Sequence, residues 1–371
     1  VTTFTTRGPT TRARTKLAAV TTVAAVALAL GCAGSPSVRA PQQVAPRAAC
    51  TFVNPLGPGA DPWVVREKGA YYYVQSRQGG IWVSKAATLS GAVGAPAVRV
   101  WTPPDTGWNR TNIWAPELHF IDGRPYIYYA GGRAGPPFLS QHAGVLEGAT
   151  SDAQGAYVDR GMLYTGDSVT TGRANRWSID LTVGQVGGAR YAVWSGWKDD
   201  ALTDRTPQLL YIAPMSNPWT ISANRVLLSA PTESWERGTE LDLQEGPELL
   251  RHGRDLFVLY STRESWLREY RLGQLRLRDT SANPLDPTSW TKTGPVFAGT
   301  GTVYGVGHAS FTVSPDSTED WIVYHAKVST APGWDRAVRM QRFRWGADGA
   351  PVFGTPVASG EPVPVPSGEC R

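Results

Sequence analysis

Residues 178–196 read SIDLTVGQVGGARYAVWSG. One acid, Asp180, heads an otherwise apolar run rich in β-branched residues. Gly187 and Gly188 sit where a tight hairpin needs positive φ, and a second run of Tyr, Val and Trp ends in Ser195. That is the pattern of two strands around a turn, and it recurs. DPWVVREKGAYYYVQS starts at Asp61, with Gly69 and Ser76 at the same offsets as Gly188 and Ser195. APELHFIDGRPYIYYA starts at Ala115, with Gly123 and Ala130 in those places. EGPELLRHGRDLFVLYS starts at Glu245, keeps Gly253 in place and then slips by one residue. HASFTVSPDSTEDWIVYHA starts at His308 and has a longer turn around Pro315 and Asp316. Five copies, roughly 54 to 65 residues apart, suit the blades of a β-propeller or a similar β repeat.

The second strand of each copy is aromatic and β-branched: YYYV, YIYY, YAVW, LFVLY and WIVY. A third run follows in most copies, as in GGIWVSKAATLSG, QLLYIAPMSNPW and VRMQRFRWGADGAPVFG. Helical periodicity is nearly absent, and 40 Gly and 29 Pro fit many short strands joined by turns. The fold class is all-β, a five-bladed propeller. One blade cannot bury its own faces, so residues 50–371 form one domain.

The segment before it is of another kind. Arg7, Arg12, Arg14 and Lys16 precede LAAVTTVAAVALALGC, the pattern of an export signal over residues 1–31. The apolar run is short for a membrane span. Cys32 directly after Gly31 is placed as in a lipoprotein cleavage site, so membrane attachment through lipidated Cys32 is expected; ordinary secretion is the alternative. Residues 32–49, rich in Ala, Pro and Ser, read as a tether. The leader holds four of the 36 Lys and Arg and none of the 31 Asp and Glu. The remaining chain is close to neutral, and no basic patch points to nucleic acid. The expected protein is an exported monomer. Cys50 and Cys370 stand at the two ends of the ring, which a closed propeller brings together, and an exported chain can keep their disulfide.

Four of the five strand starts are ionisable: Asp61, Asp180, Glu245 and His308. Clustered carboxyl groups raise one another's pKa, and a site that needs both an acid and a base uses that. Trp63, Trp114 and Trp177 lie within three residues of strand starts, where such side chains stack on a bound ligand or pack between blades. Glu117 and Glu248 read as surface or supporting acids.

At these residues the chain resembles glycoside hydrolase family 43, five-bladed propeller enzymes acting on arabinose- and xylose-containing polysaccharides. The resemblance runs from about Asn54 to Val357. ADPWVV resembles the general-base motif, which implies Asp61 as base. SIDLTV resembles the motif of a third acid, which implies that Asp180 tunes and orients the acid. EGPE resembles the general-acid motif, which implies Glu245. YGVGHASF resembles a segment whose histidine lies near an ion on the propeller axis, which implies His308 beside a structural calcium; a satisfied core histidine is the alternative. VRMQRFRWGADGAPVFG resembles the last blade, which implies that Arg339 points into the pocket. Leu181 and Gln244 depart from a glycine and an asparagine in the relatives, changes expected on the pocket wall. The implied activity is an inverting α-L-arabinofuranosidase on plant cell-wall polysaccharide or oligosaccharide, its two carboxyl groups about 6.5 to 9.5 Å apart. β-Xylosidase, endo-arabinanase, exo-galactanase and a non-catalytic glycan-binding propeller are the alternatives.

Overall fold

The aromatic second strands read as unbroken apolar runs because both of their faces are buried. In YIYY, Tyr126 and Tyr128 point into one core while Ile127 and Tyr129 point into the next, as the two-residue period of a strand dictates. Leu256, Val258 and Tyr260 likewise face one neighbour, and Phe257 and Leu259 the other. The structure, a computed structural model, describes residues 50–370. The expected leader, the tether and Cys32 lie outside the described residues.

Each repeat forms one antiparallel sheet, strands in sequence order from the inside outward. Blade 1 comprises Trp63–Glu67, Ala70–Arg77, Gly80–Ala86 and Ala97–Trp101. Blade 2 comprises Thr111–Ile121, Arg124–Gly132, His142–Gly148 and Tyr157–Met162. Blade 3 has Ser178–Val186, Ala189–Gly196 and Leu209–Asn217, with Thr220–Ile221 and Val226–Ser229 along its outer edge. Blade 4 comprises Gln244–His252, Asp255–Thr262, Arg271–Leu277 and Trp290–Ala298. Blade 5 has Tyr304–Val313, Asp320–Lys327 and Arg336–Trp345. Its outer strand is Gly57–Pro58, which pairs with Val338 and Ala337.

Five cores fill the gaps between successive blades, and the fifth joins blade 5 to blade 1 through Trp321, Val323 and Met340 against Val64, Tyr71 and Tyr73. The ring is therefore closed. Thr51–Val53 pairs with Pro362–Pro364 beside it, and Cys50 and Cys370 are disulfide-bonded with Cα atoms 5.9 Å apart.

Candidate active site

The innermost strand of blades 2 to 5 carries one extra residue near its start. In blade 3, Ile179 pairs with Ser195 and Thr182 with Val193, three residues against two. Blades 2, 4 and 5 repeat this bulge at Trp114/Glu117, Glu245/Glu248 and Gly307/Ser310. The residue after the first of each pair is left-handed: Ala115 at φ 41°, Asp180 at 53°, Gly246 at 53° and His308 at 46°. Asp61, just ahead of the first strand of blade 1, has φ 50°. Asp61 and Asp180 thus share a register, while Glu245 sits one residue earlier, beside Gly246. The expected common register of the three acids is corrected by that one residue. The slip seen around Gly253 has the same origin.

The strand starts line one cavity of about 650 Å³ that contains Asp61, Asp180, Glu245, His308, Trp114 and Trp177. Asp61 Oδ1 lies 2.9 Å from Arg336 Nη1, 3.2 Å from His325 Nδ1 and 3.3 Å from His308 Nδ1. Burial opposes its ionisation, but Arg336, His308 and His325 outweigh burial and hold the carboxyl well below the usual carboxylate range. The Asp61 backbone N–H also donates to His325 Nδ1 at 3.0 Å. Burial depresses the His325 pKa to about 3, against the pull of Asp61.

Glu245 is in the opposite condition. Burial raises its pKa to about 7; the charge of Asp61 adds to this, and Tyr270, Arg336 and Ser265 oppose it. Tyr270 donates its hydroxyl to Glu245 Oε1 at 2.9 Å. The same tyrosine ring stacks on His325, 5.5 Å between centres and 7° from parallel. One stacked pair therefore braces both carboxyl groups, Asp61 through His325 and Glu245 through Tyr270. Asp180 Oδ2 accepts the Gly246 N–H at 3.0 Å. Asp180 is itself pushed well up, by burial first and then by Glu245 and Asp61. Burial comes first in raising Glu245, and Asp61 and Asp180 are its charged neighbours; the repulsion between Asp180 and Glu245 raises that pair together.

Two expected pocket residues are elsewhere. Trp63 is buried between blades 1 and 2, its Nε1 donating to the Leu118 carbonyl at 2.7 Å and its ring 4.5 Å from His119. The left-handed backbone at Asp61 (φ 50°) breaks the strand alternation there, so Trp63 does not follow Asp61 into the cavity. Arg339 is buried against the C-terminal segment, bonded to Ser359 Oγ at 3.1 Å and the Val357 carbonyl at 2.5 Å. Arg336, three residues earlier and hence on the opposite strand face, is the arginine of the site. Leu181 lies in the core between blades 2 and 3. Gln244 is held by Glu236 at 2.6 Å and Ser229 at 3.0 Å. Neither lines the cavity.

Glu117 and Glu248 are buried, correcting any surface reading. They occupy the register of Thr182, one step along the strands, and burial raises both well above the usual range. Thr182 Oγ1 lies 3.4 Å from Glu248 Oε2, and His119 Nε2 2.9 Å from Glu117 Oε2. Calcium takes six to eight oxygen ligands. Among the described residues no three His, Cys, Asp or Glu side chains converge as metal ligands. The ion that the resemblance implies would be held by His308 with waters completing its shell, and no chemistry is routed through it.

Arg336, His325 and Tyr270 escaped the sequence. His325 left a signal: it is a polar residue within the apolar run WIVYHA, and such a residue at a buried strand position needs a partner.

The chain can now be set beside known proteins. An extracellular exo-α-(1→5)-L-arabinofuranosidase of Streptomyces avermitilis is 37% identical over 324 residues, which cover 84% of this chain and 64% of that protein. Alpha-L-arabinofuranosidase 43 of Humicola insolens is 34% identical over 319 residues, 82% of this chain and 63% of that one. The chain spans a little under two thirds of the length of these curated relatives. The crystal structure of an α-L-arabinofuranosidase from Lactobacillus brevis has a TM-score of 0.75 at 31% identity, covering 84% of this chain and 98% of that one. Residues 52–351, from the strand beside Cys50 into the last blade, match the family described as Glycosyl hydrolases family 43. With the match running through all five blades and the paired acids, the chain belongs to glycoside hydrolase family 43.

Proposed function

We propose that the protein is an inverting α-L-arabinofuranosidase acting on arabinan or arabinoxylan-type glycans. The observation that carries this reading is one cavity that holds both Asp61 and Glu245 in surroundings that push their pKa values apart. Asp61 is kept ionised chiefly by the Arg336 guanidinium 2.9 Å away, whereas burial raises the Glu245 pKa to about 7. Glycoside hydrolysis by a pair of carboxyl groups asks for that division, and inversion is the outcome that the family resemblance implies. Asp61 takes a proton from water as its oxygen bonds to the anomeric carbon. The glycosidic C–O bond breaks, and Glu245 gives its proton to the departing oxygen. Asp180 positions the acid by gripping the next residue, Gly246. The choice of arabinose is supported by the relatives' printed activities. The relative from Streptomyces avermitilis is described as extracellular, which supports an exported protein. Lipid attachment at Cys32 is a finer proposal that rests on the leader alone.

Product analysis on arabinan, arabinoxylan and galactan, with NMR of the fresh anomer, tests the reading. L-Arabinose released with inverted configuration is the expected product; xylose, galactose or long oligosaccharides would favour the alternatives. Asp61→Ala should lose about 10²- to 10⁴-fold in rate on every substrate. Glu245→Ala should lose as much on arabinan but far less on 4-nitrophenyl α-L-arabinofuranoside, whose leaving group needs no proton. Near-normal turnover of arabinan by either folded variant would sink the assignment and favour a glycan-binding propeller.

A further inference from the structure

The cavity has two aromatic walls, which differ most in Trp177, buried on one, and Trp334, 59% exposed on the other. On the side of blades 2 and 3, Trp177 lies flat on Trp197 at 4.3 Å and donates its Nε1 to the Phe138 carbonyl at 2.8 Å. The Phe138 N–H in turn donates to Asp204 at 3.2 Å. These contacts lock that wall shut.

The wall from blades 4 and 5 is built differently. Trp266 and Trp334 line it, their ring centres 5.3 Å apart and their planes 53° from each other. Trp334 is 59% exposed, yet it is not loose. The neighbouring Gly333 N–H donates to the Trp266 carbonyl at 2.9 Å, and Lys327 Nζ donates to the Gly333 carbonyl at 2.5 Å. The Arg336 guanidinium, partner of Asp61, lies 5.6 Å from the Trp334 ring centre. Arg205 lies 4.6 Å from the Trp266 ring and is paired with Glu240 at 3.6 Å. An anchored, exposed indole at the mouth of a cavity is apolar surface that a ligand can cover. Its flat face suits the C–H face of a sugar ring.

The position of this wall selects which sugar. Trp266 follows Ser265, and both line the cavity together with Glu245. The proton from Glu245 goes to the departing oxygen, so the departing sugar lies on the side of Glu245. Water enters from the opposite face, at Asp61. We propose that Trp266 and Trp334 form the subsite for the sugar on the leaving-group side, and so set which glycans the enzyme releases arabinose from. This rests on the glycosidase reading above.

The test compares kcat/KM on α-1,5-arabinobiose with kcat/KM on methyl α-L-arabinofuranoside, whose leaving group is too small to stack. β-1,4-Xylobiose and methyl β-xyloside form a parallel pair should xylose be the sugar released. In Trp334→Ala and Trp266→Ala the disaccharide-to-methyl-glycoside ratio should fall at least about tenfold. Trp334→Phe, which keeps a flat ring, should recover most of it. A wild type active on both members of a pair, with the ratio unmoved in Trp334→Ala, overturns the subsite and leaves the glycosidase reading standing. A wild type active on none of the four compounds overturns both.

Discussion

A single hydroxyl sets the upper end of the working pH range. On the proposed function Glu245 acts only while protonated, so turnover of arabinan should fall as pH rises through about 7. The Tyr270 hydroxyl donates to Glu245 Oε1 and thereby favours the ionised form. In Tyr270→Phe the glutamate pKa rises, and the alkaline limb of kcat should move to higher pH by about one unit. The acid limb reports Asp61, which must lose its proton, and it should stay where it is. A pH–rate profile of the variant against wild type checks this; an alkaline limb that stays put or moves down overturns the role of Tyr270. The acids themselves were legible in the sequence, since a lone carboxyl heading an apolar strand is conspicuous in Asp61 and Asp180. Their partners were not, because Arg336, His325 and Tyr270 come from other strands and a loop, and only the closed ring brings them to the carboxylates. Arg339 and Trp63 mislead for the same reason. Proximity along the chain says little about which face of a strand a side chain takes.

The bulge at each strand start is the element that turns a β-sheet into a catalytic wall. It forces a left-handed residue, which is costly for most side chains and tolerated best by Asp, Asn and Gly. Blade 4 answers that demand with Gly246, leaving the preceding residue free to be the long acid Glu245. A Cβ on Gly246 would meet the His308 ring at 3.0 Å, at Cγ and Nδ1. Gly246→Ala should therefore destabilise the fold by about 1–3 kcal/mol through backbone strain and the clash together. Urea unfolding of the variant measures this, and a loss below about 0.5 kcal/mol would show that the bulge relaxes. The hairpins and the apolar middle strands were readable, because turn glycines and two-sided burial leave direct marks in composition. The bulge itself left no mark, because blades 2 to 5 share it and their spacings agree; the one-residue slip near Gly253 reflects Glu245 standing one residue ahead of the Asp180 register.

At the scale of the molecule, stability depends on joining two ends of the chain. The disulfide from Cys50 to Cys370 spans 320 residues, and a cross-link over so long a loop removes much of the freedom of the unfolded chain. Cys50→Ser with Cys370→Ser should lower unfolding free energy by about 2–4 kcal/mol, read as a lower melting temperature with the folded-state circular dichroism retained. An unchanged melting temperature would mean that Thr51–Val53 on Pro362–Pro364 and Gly57–Pro58 on blade 5 hold the ring by themselves. That this bond would form was legible from the position of two cysteines at the limits of a cyclic repeat. The way blade 5 borrows its outer strand was not, since Gly57–Pro58 has no strand-like composition. The borrowed strand also fixes an order of events during synthesis. Gly57 and Pro58 leave the ribosome about 280 residues before their partners Val338 and Ala337. The earliest strand of the ring therefore waits, unpaired, until the last blade has been made. Folding cannot finish blade by blade behind the ribosome, and its final step is a closure between the most widely separated parts of the chain.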